Sequence, residues 1–145
     1  MAPLAPVISI SHGGGPMPLL GDPNHAALVK SLQTRVPAIL KLGTADQPRA
    51  IVLVTAHWNT EIPTISSGER HELLYDYYGF PDAAYELKYE APGSPEVAGL
   101  VRDALAEGGI EARMDGERGM LLNKLRFPSK HGFMLYYGDH FADIN

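Results

Sequence analysis

Two histidines in this chain each follow directly on a short apolar run. Val7-Ile8-Ser9-Ile10-Ser11 leads into His12 and then Gly13-Gly14-Gly15-Pro16, and Ile51-Val52-Leu53-Val54-Thr55-Ala56 leads into His57 and Trp58. Neutral imidazole suits zinc and ferrous iron. An oxygen-activating non-haem iron site uses two histidines, one carboxylate and open positions for substrate and O2. A catalytic zinc site needs about three protein ligands and one open position. Two imidazoles are therefore an incomplete metal site, and the source of a third ligand decides what chemistry follows. Taken singly, each histidine fits better as a strand-end residue bonded to nearby backbone. The matched placement of the two brings a metal site level with that reading.

Both runs read as β-strands, Pro6 to Ser11 and Ala50 to Thr55. Between them, Leu28, Leu32, Val36, Ile39 and Leu40 recur at helical spacing, so a helix is expected over residues 25–42. Asn24 is its expected cap, Gly43 its stop, and Pro37 should break or kink it near Val36. Strand, helix, strand places both strands in one parallel sheet, with both histidines at its carboxyl edge, where open α/β sheets bind ligands. The second strand is apolar on both faces, which suits the interior of a covered parallel sheet.

Further along, Ile62 to Ser66 reads as a shorter strand. Ser94-Pro95-Glu96 opens a helix with a serine cap, a proline in the first turn and an early acid, and Gly108-Gly109 ends it. Ile110 to Met114 reads as another strand, Met120 to Phe127 as a helix and Gly132 to Tyr137 as a strand. The alternation argues for an α/β fold: a three-layer sandwich with a mostly parallel central sheet, incomplete at the C-terminus. The chain of 145 residues fits one domain.

Composition narrows the function. The formal net charge of -5 and scattered basic residues argue against nucleic acid as a partner. With no cysteine, thiolate zinc sites and a cysteine nucleophile are excluded. The start Met1-Ala2-Pro3-Leu4-Ala5-Pro6 has neither the basic opening nor the apolar core of a signal or membrane anchor, so a cytoplasmic location is expected.

The other histidines carry less. His25 is expected at the surface near a helix start. His71 lies in the charged stretch Glu69-Arg70-His71-Glu72 and is expected to be solvated. Asp139-His140 offers a carboxylate and an imidazole on adjacency alone. Gly13-Gly14-Gly15 lacks the spacing of a phosphate loop, and suits close approach of backbone to a metal or substrate. Tyr75-Asp76-Tyr77-Tyr78-Gly79-Phe80-Pro81 with Tyr85 and Tyr89 reads as an aromatic loop, either lining a pocket or packing as core.

Ser11-His12-Gly13, Ala56-His57-Trp58, the Tyr75 to Pro81 segment and Tyr89-Glu90-Ala91-Pro92-Gly93-Ser94-Pro95 occur in that order. As an ordered set they resemble the class III extradiol ring-cleavage dioxygenases, most closely the 4,5-DOPA dioxygenase-like branch, over about residues 6 to 119. The resemblance implies a metal-dependent oxidoreductase that opens a catechol ring with O2. It implies His12 and His57 as ligands of one Fe(II) or Zn(II), and Tyr78 and Phe80 as part of the aromatic substrate pocket.

The resemblance also marks a departure. Members of the family are roughly twice this length, and their second half carries further histidines, including a metal ligand and an acid/base. Their Arg-Gly-Leu-Asp-His-Gly motif, with a Lys-Leu-x-Phe-Pro-like run soon after, is met here by Arg118-Gly119-Met120 without a following Asp-His-Gly. Lys124-Leu125-Arg126-Phe127-Pro128 matches the run if the motif is deleted, the alignment with the better spacing. His131-Gly132-Phe133 is the displaced motif if residues are inserted, which makes His131 a candidate catalytic residue. Either way the chain reads as C-terminally truncated, with 120–145 a divergent tail. Three readings follow: a ring-cleaving dioxygenase with Asp139, His140 or water completing its site; an inactive fragment with a binding or regulatory role; and a zinc hydrolase or chelatase-like protein. Self-association is expected, and a membrane partner is not.

Overall fold

Ser94 starts its helix as the local sequence dictates. Its Oγ accepts from the Val97 N–H, Pro95 occupies the first turn, and α2 runs Pro95–Glu107. Gly109, at φ 77°, lets the chain leave. The earlier helix differs from expectation at both ends. Its N-cap is His25 rather than Asn24, and α1 runs Ala26–Ile39. Pro37 does not end it at Val36: it lies in the last turn, and the helix stops two residues further on, at Ile39. Val36 and Leu40 are the buried anchors of this segment.

This is a computed structural model, which describes residues 5–55, 58–89 and 92–117, together with the backbone of Ala91 and of two late strands. The strands are β1 (Val52–Thr55), β2 (Thr64–Ser66), β3 (Arg70–His71), β4 (Leu73–Leu74), β5 (Ala91–Pro92), β6 (Arg113–Asp115), β7 (Met120–Leu121) and β8 (Phe133–Tyr136). The chain divides into two units, each described by itself.

The first unit holds α1, the turns before it and the aromatic segment 74–89. Short 3-10 turns at Met17–Leu20 and Pro23–His25 lead into α1. Residues 7–11, expected as a strand, are irregular here. A β-branched run becomes a strand only when another strand pairs its backbone. This one instead lies along α1, where it and Leu28, Leu32, Val36 and Ile39 line a cavity of about 470 Å³. The alternation survives in part: Ile8 and Ile10 are half-buried, while Val7 and Ser9 are exposed.

The second unit holds a four-stranded sheet in the order β1-β8-β2-β6. β1 pairs parallel with β8 (Val52↔Phe133 to Thr55↔Tyr136), and β2 pairs parallel with β6. β8 and β2 are antiparallel, with Ile65 opposite Leu135. The protein is therefore α/β with a small, partly parallel sheet. Its core lies where α2 meets β2: Thr64, Ile65, Ser66 and Ala98 are all buried. Among the described residues β1 is an edge strand, not an interior one, and Val52 and Val54 are 45% and 49% exposed. Its second face is thus left to solvent, contrary to the double burial its apolar run implies. The strands expected at 62–66 and 132–137 are present in shortened form, and the one expected at 110–114 is displaced to Arg113–Asp115. The helix expected over 120–127 begins instead as β7, and its remainder lies outside the described residues.

No helix among the described residues is long and apolar enough to cross a membrane.

Candidate functional site

His12 stands half-buried in irregular chain, not at a strand end. The loop after it is shaped by its glycines. Gly13 and Gly15 have φ of 76° and 50°, backbone that side chains other than glycine adopt only with strain. Both are also pressed by neighbours. A Cβ on Gly13 would stand 2.5 Å from the His25 ring and 2.9 Å from the Leu28 side chain. A Cβ on Gly15 would stand 2.7 Å from the Phe80 ring. The loop is thus gripped by the start of α1 at one end and by the aromatic segment at the other, both within the first unit.

His25, expected at the surface, is half-buried and bonded at both ring nitrogens. Its Nδ1 hydrogen-bonds Asp22 Oδ2, and its Nε2 accepts the Gly14 N–H at 3.1 Å. Its side chain makes no cap bond to its own helix. Hydrogen bonding from His25 holds the Asp22 carboxyl below its ordinary value of 3.8, aided by the Asn24 N–H and opposed by partial desolvation. The sign follows: a depressed carboxyl stabilises the fold above the ordinary carboxylate range, and that contribution is lost as pH falls through the lower folded value.

The aromatic segment is internally stapled. Tyr77 packs edge-on against Phe80 and Tyr75, with centroids 5.3 and 6.1 Å away, and Tyr85 leans on both tyrosines. The hydroxyls donate to backbone of the same segment: Tyr75 to the Leu87 carbonyl at 2.5 Å and Tyr77 to the Ala84 carbonyl at 2.6 Å. These rings satisfy an otherwise irregular backbone. Of the two residues expected at the substrate, Phe80 is half-buried over the glycine loop, and Tyr78 is 92% exposed and outside the cluster.

Partial burial, then the nearby Tyr75, Tyr85 and Asp76, push the Tyr77 phenol up to about 12. Its folded value lies above the ordinary 10.0, so this group's stabilisation is complete below about pH 10 and is lost as pH rises through about 12. A phenolate absorbance titration should show a late-ionising tyrosine, and Tyr77→Phe should remove that step. An unchanged titration in the variant would assign the late proton elsewhere.

In the second unit, His71 is 5% exposed, not solvated. The strand alternation explains this: Arg70 and Glu72 point out while His71 turns in. Ser66 Oγ lies 3.1 Å from His71 Nδ1, and the imidazole packs beside Gly93. His57, His131, Asp139 and His140 lie outside the described residues, although β1 ends at Thr55, two residues before His57. The described residues contain no group of three or more His, Asp and Glu side chains placed to hold a metal. His12, a half-buried imidazole on a constrained loop, suits one ligand position for iron or zinc. Sequence reasoning missed the link from Asp22 through His25 to Gly14. Its one sequence signal was the Asp-x-x-His spacing just ahead of a helix.

The family described as the catalytic LigB subunit of aromatic ring-opening dioxygenase matches residues 6–134. Dioxygenase tasH of Hapsidospora irregularis is 54% identical over 118 residues, which cover 80% of this chain and 36% of that protein. The 4,5-DOPA dioxygenase extradiol of Escherichia coli (strain K12) is 38% identical over 102 residues, covering 70% of this chain and 34% of that protein. That of Mirabilis jalapa is 36% identical over 75 residues, covering 52% and 28%. The chain spans about a third of the length of these curated relatives. Since the match begins ahead of the glycine loop and continues beyond α2, the chain belongs to the class III extradiol dioxygenase family, in the group of the catalytic LigB subunit.

Proposed function

We propose that this chain carries part of the active site of an extradiol dioxygenase acting on a catechol, with His12 and His57 as two ligands of a single Fe(II) or Zn(II). The observation that carries the reading is the family match over residues 6–134, which takes in both histidines in their motifs. When bound, a ferrous ion supplies Lewis acidity and the redox capacity that O2 chemistry requires. The chain's own residues supply the rest. Neutral imidazoles at His12 and His57 bind the metal. The glycine loop brings backbone close without side-chain obstruction, and Phe80 with Tyr78 offers aromatic surface to a planar ring. His131 is the candidate to take a proton from a catechol hydroxyl. A three-layer arrangement around the partly parallel sheet, a cytoplasmic setting and self-association belong to the same reading.

The test loads the purified chain with Fe(II) without oxygen, measures bound metal, then adds a catechol and O2. One bound iron per chain and a coloured ring-opened product are expected. Iron-loaded, folded protein without turnover would favour a binding or regulatory role. Hydrolytic activity with zinc and without O2 would select a hydrolase instead.

A further inference from the structure

We propose that Asp22 and His25 are positioning residues for His12, acting through the Gly13–Gly14 backbone that follows it. The inference rests on the reading of His12 as a metal ligand. Three observations carry it. First, His25 Nε2 accepts the Gly14 N–H, so that nitrogen bears no proton and the ring proton sits on Nδ1. Second, Nδ1 faces the Asp22 carboxylate, which fixes both tautomer and ring orientation. Asp22 is itself held, because its Oδ1 accepts from the Asn24 backbone N–H at 3.4 Å and from Asn24 Nδ2 at 3.1 Å. Third, the His25 ring lies flush on Gly13, where even a methyl group has no room.

The usual task of a residue at this place is to cap the helix with its side chain. His25 occupies the N-cap position and makes no such bond. Its side chain reaches back eleven residues to Gly14 instead. The carboxylate, the imidazole and the glycine amide thus form a relay whose end lies two residues from His12. The relay orients a ligand's backbone, where the familiar arrangement orients the ligand's ring.

The substitution that isolates the effect is His25→Leu, which keeps bulk and removes the acceptor. His25→Gln is its rescue, since an amide oxygen can still accept from Gly14. Two readouts are taken on the intact chain: hydrogen exchange at the Gly14 amide, and Zn(II) affinity by competition with a chromophoric chelator. In His25→Leu we expect Gly14 to exchange about tenfold faster and Zn(II) to bind about tenfold more weakly, at the low end of losses seen for outer-shell partners. His25→Gln should restore both to within about threefold, as expected of a positioning group. Wild-type Zn(II) affinity in His25→Leu, or no rescue by glutamine, would overturn the proposal. If leucine impairs folding, Asp22→Asn gives the same reading, because it frees the His25 tautomer at constant size. A wild-type chain that binds no Zn(II) defeats the reading of His12 as a ligand. In that event the His12 imidazole resonances still decide the relay: unchanged shifts in His25→Leu overturn it, and altered shifts sustain it.

Discussion

Alanine at His12 or at His57 is expected to weaken Fe(II) or Zn(II) binding by more than about a hundredfold, beyond the range seen for outer-shell partners, and to abolish ring cleavage. Each substitution removes one of the two proposed nitrogen donors, and a catalytic metal site has only about three protein ligands to lose. His131→Ala separates the roles. If His131 moves a proton, turnover falls while metal affinity stays within about twofold, because a general acid or base contributes to rate rather than to coordination. Metal titration alongside product formation decides among the three. Unchanged affinity in His57→Ala would remove that residue from the ligand set.

The largest effect on stability is expected at Gly93. Its N–H donates to the Glu69 carbonyl at 2.8 Å, which holds the chain tight against β3. A Cβ there would overlap the Gly68 carbonyl oxygen and stand 2.5 Å from His71 Nε2. One obstacle is backbone and the other is a buried ring, and neither yields cheaply. Gly93→Ala is therefore expected to cost about 3 kcal/mol, the upper end for overpacking. That should lower the melting temperature by roughly 10 °C for a domain of this size. Gly99 provides the contrast. It lies within α2 with nothing within 4 Å of a prospective Cβ. Gly99→Ala should stabilise by about 0.5–1 kcal/mol through helix propensity alone. Thermal melts of the two variants should move in opposite directions, and a neutral Gly93→Ala would show that the Gly68 turn can open.

Much of this structure was legible where the deciding interactions are local. The Ser94 cap and the Gly109 exit are encoded within a few residues of the helix they bound, so α2 falls where its sequence puts it. Residues 7–11 fail for the opposite reason. Their composition asks for a strand, but a strand is completed by a partner remote in sequence, and here the run lies on α1. His71 was misread because charge density near it is a property of the stretch, whereas burial follows the two-residue alternation of β3. The candidate site divides the same way. His12 and His57 stood out by residue type and motif. The relay from Asp22 to Gly14 spans a loop and a helix start, and no periodicity advertises a bond of that kind.

The packing of Phe80 on Gly15 carries a consequence for redesign. The aromatic ring proposed to meet the substrate already rests on the loop that carries a proposed metal ligand, with no space for even one extra carbon between them. Substrate preference and metal retention are then not separate dials. A smaller residue at position 80, chosen to admit a bulkier catechol, also removes a wall of the His12 loop. Selection for new substrates at this position should accordingly be epistatic with the glycine run, with compensating changes arising at residues 13–15 before they arise elsewhere in the pocket.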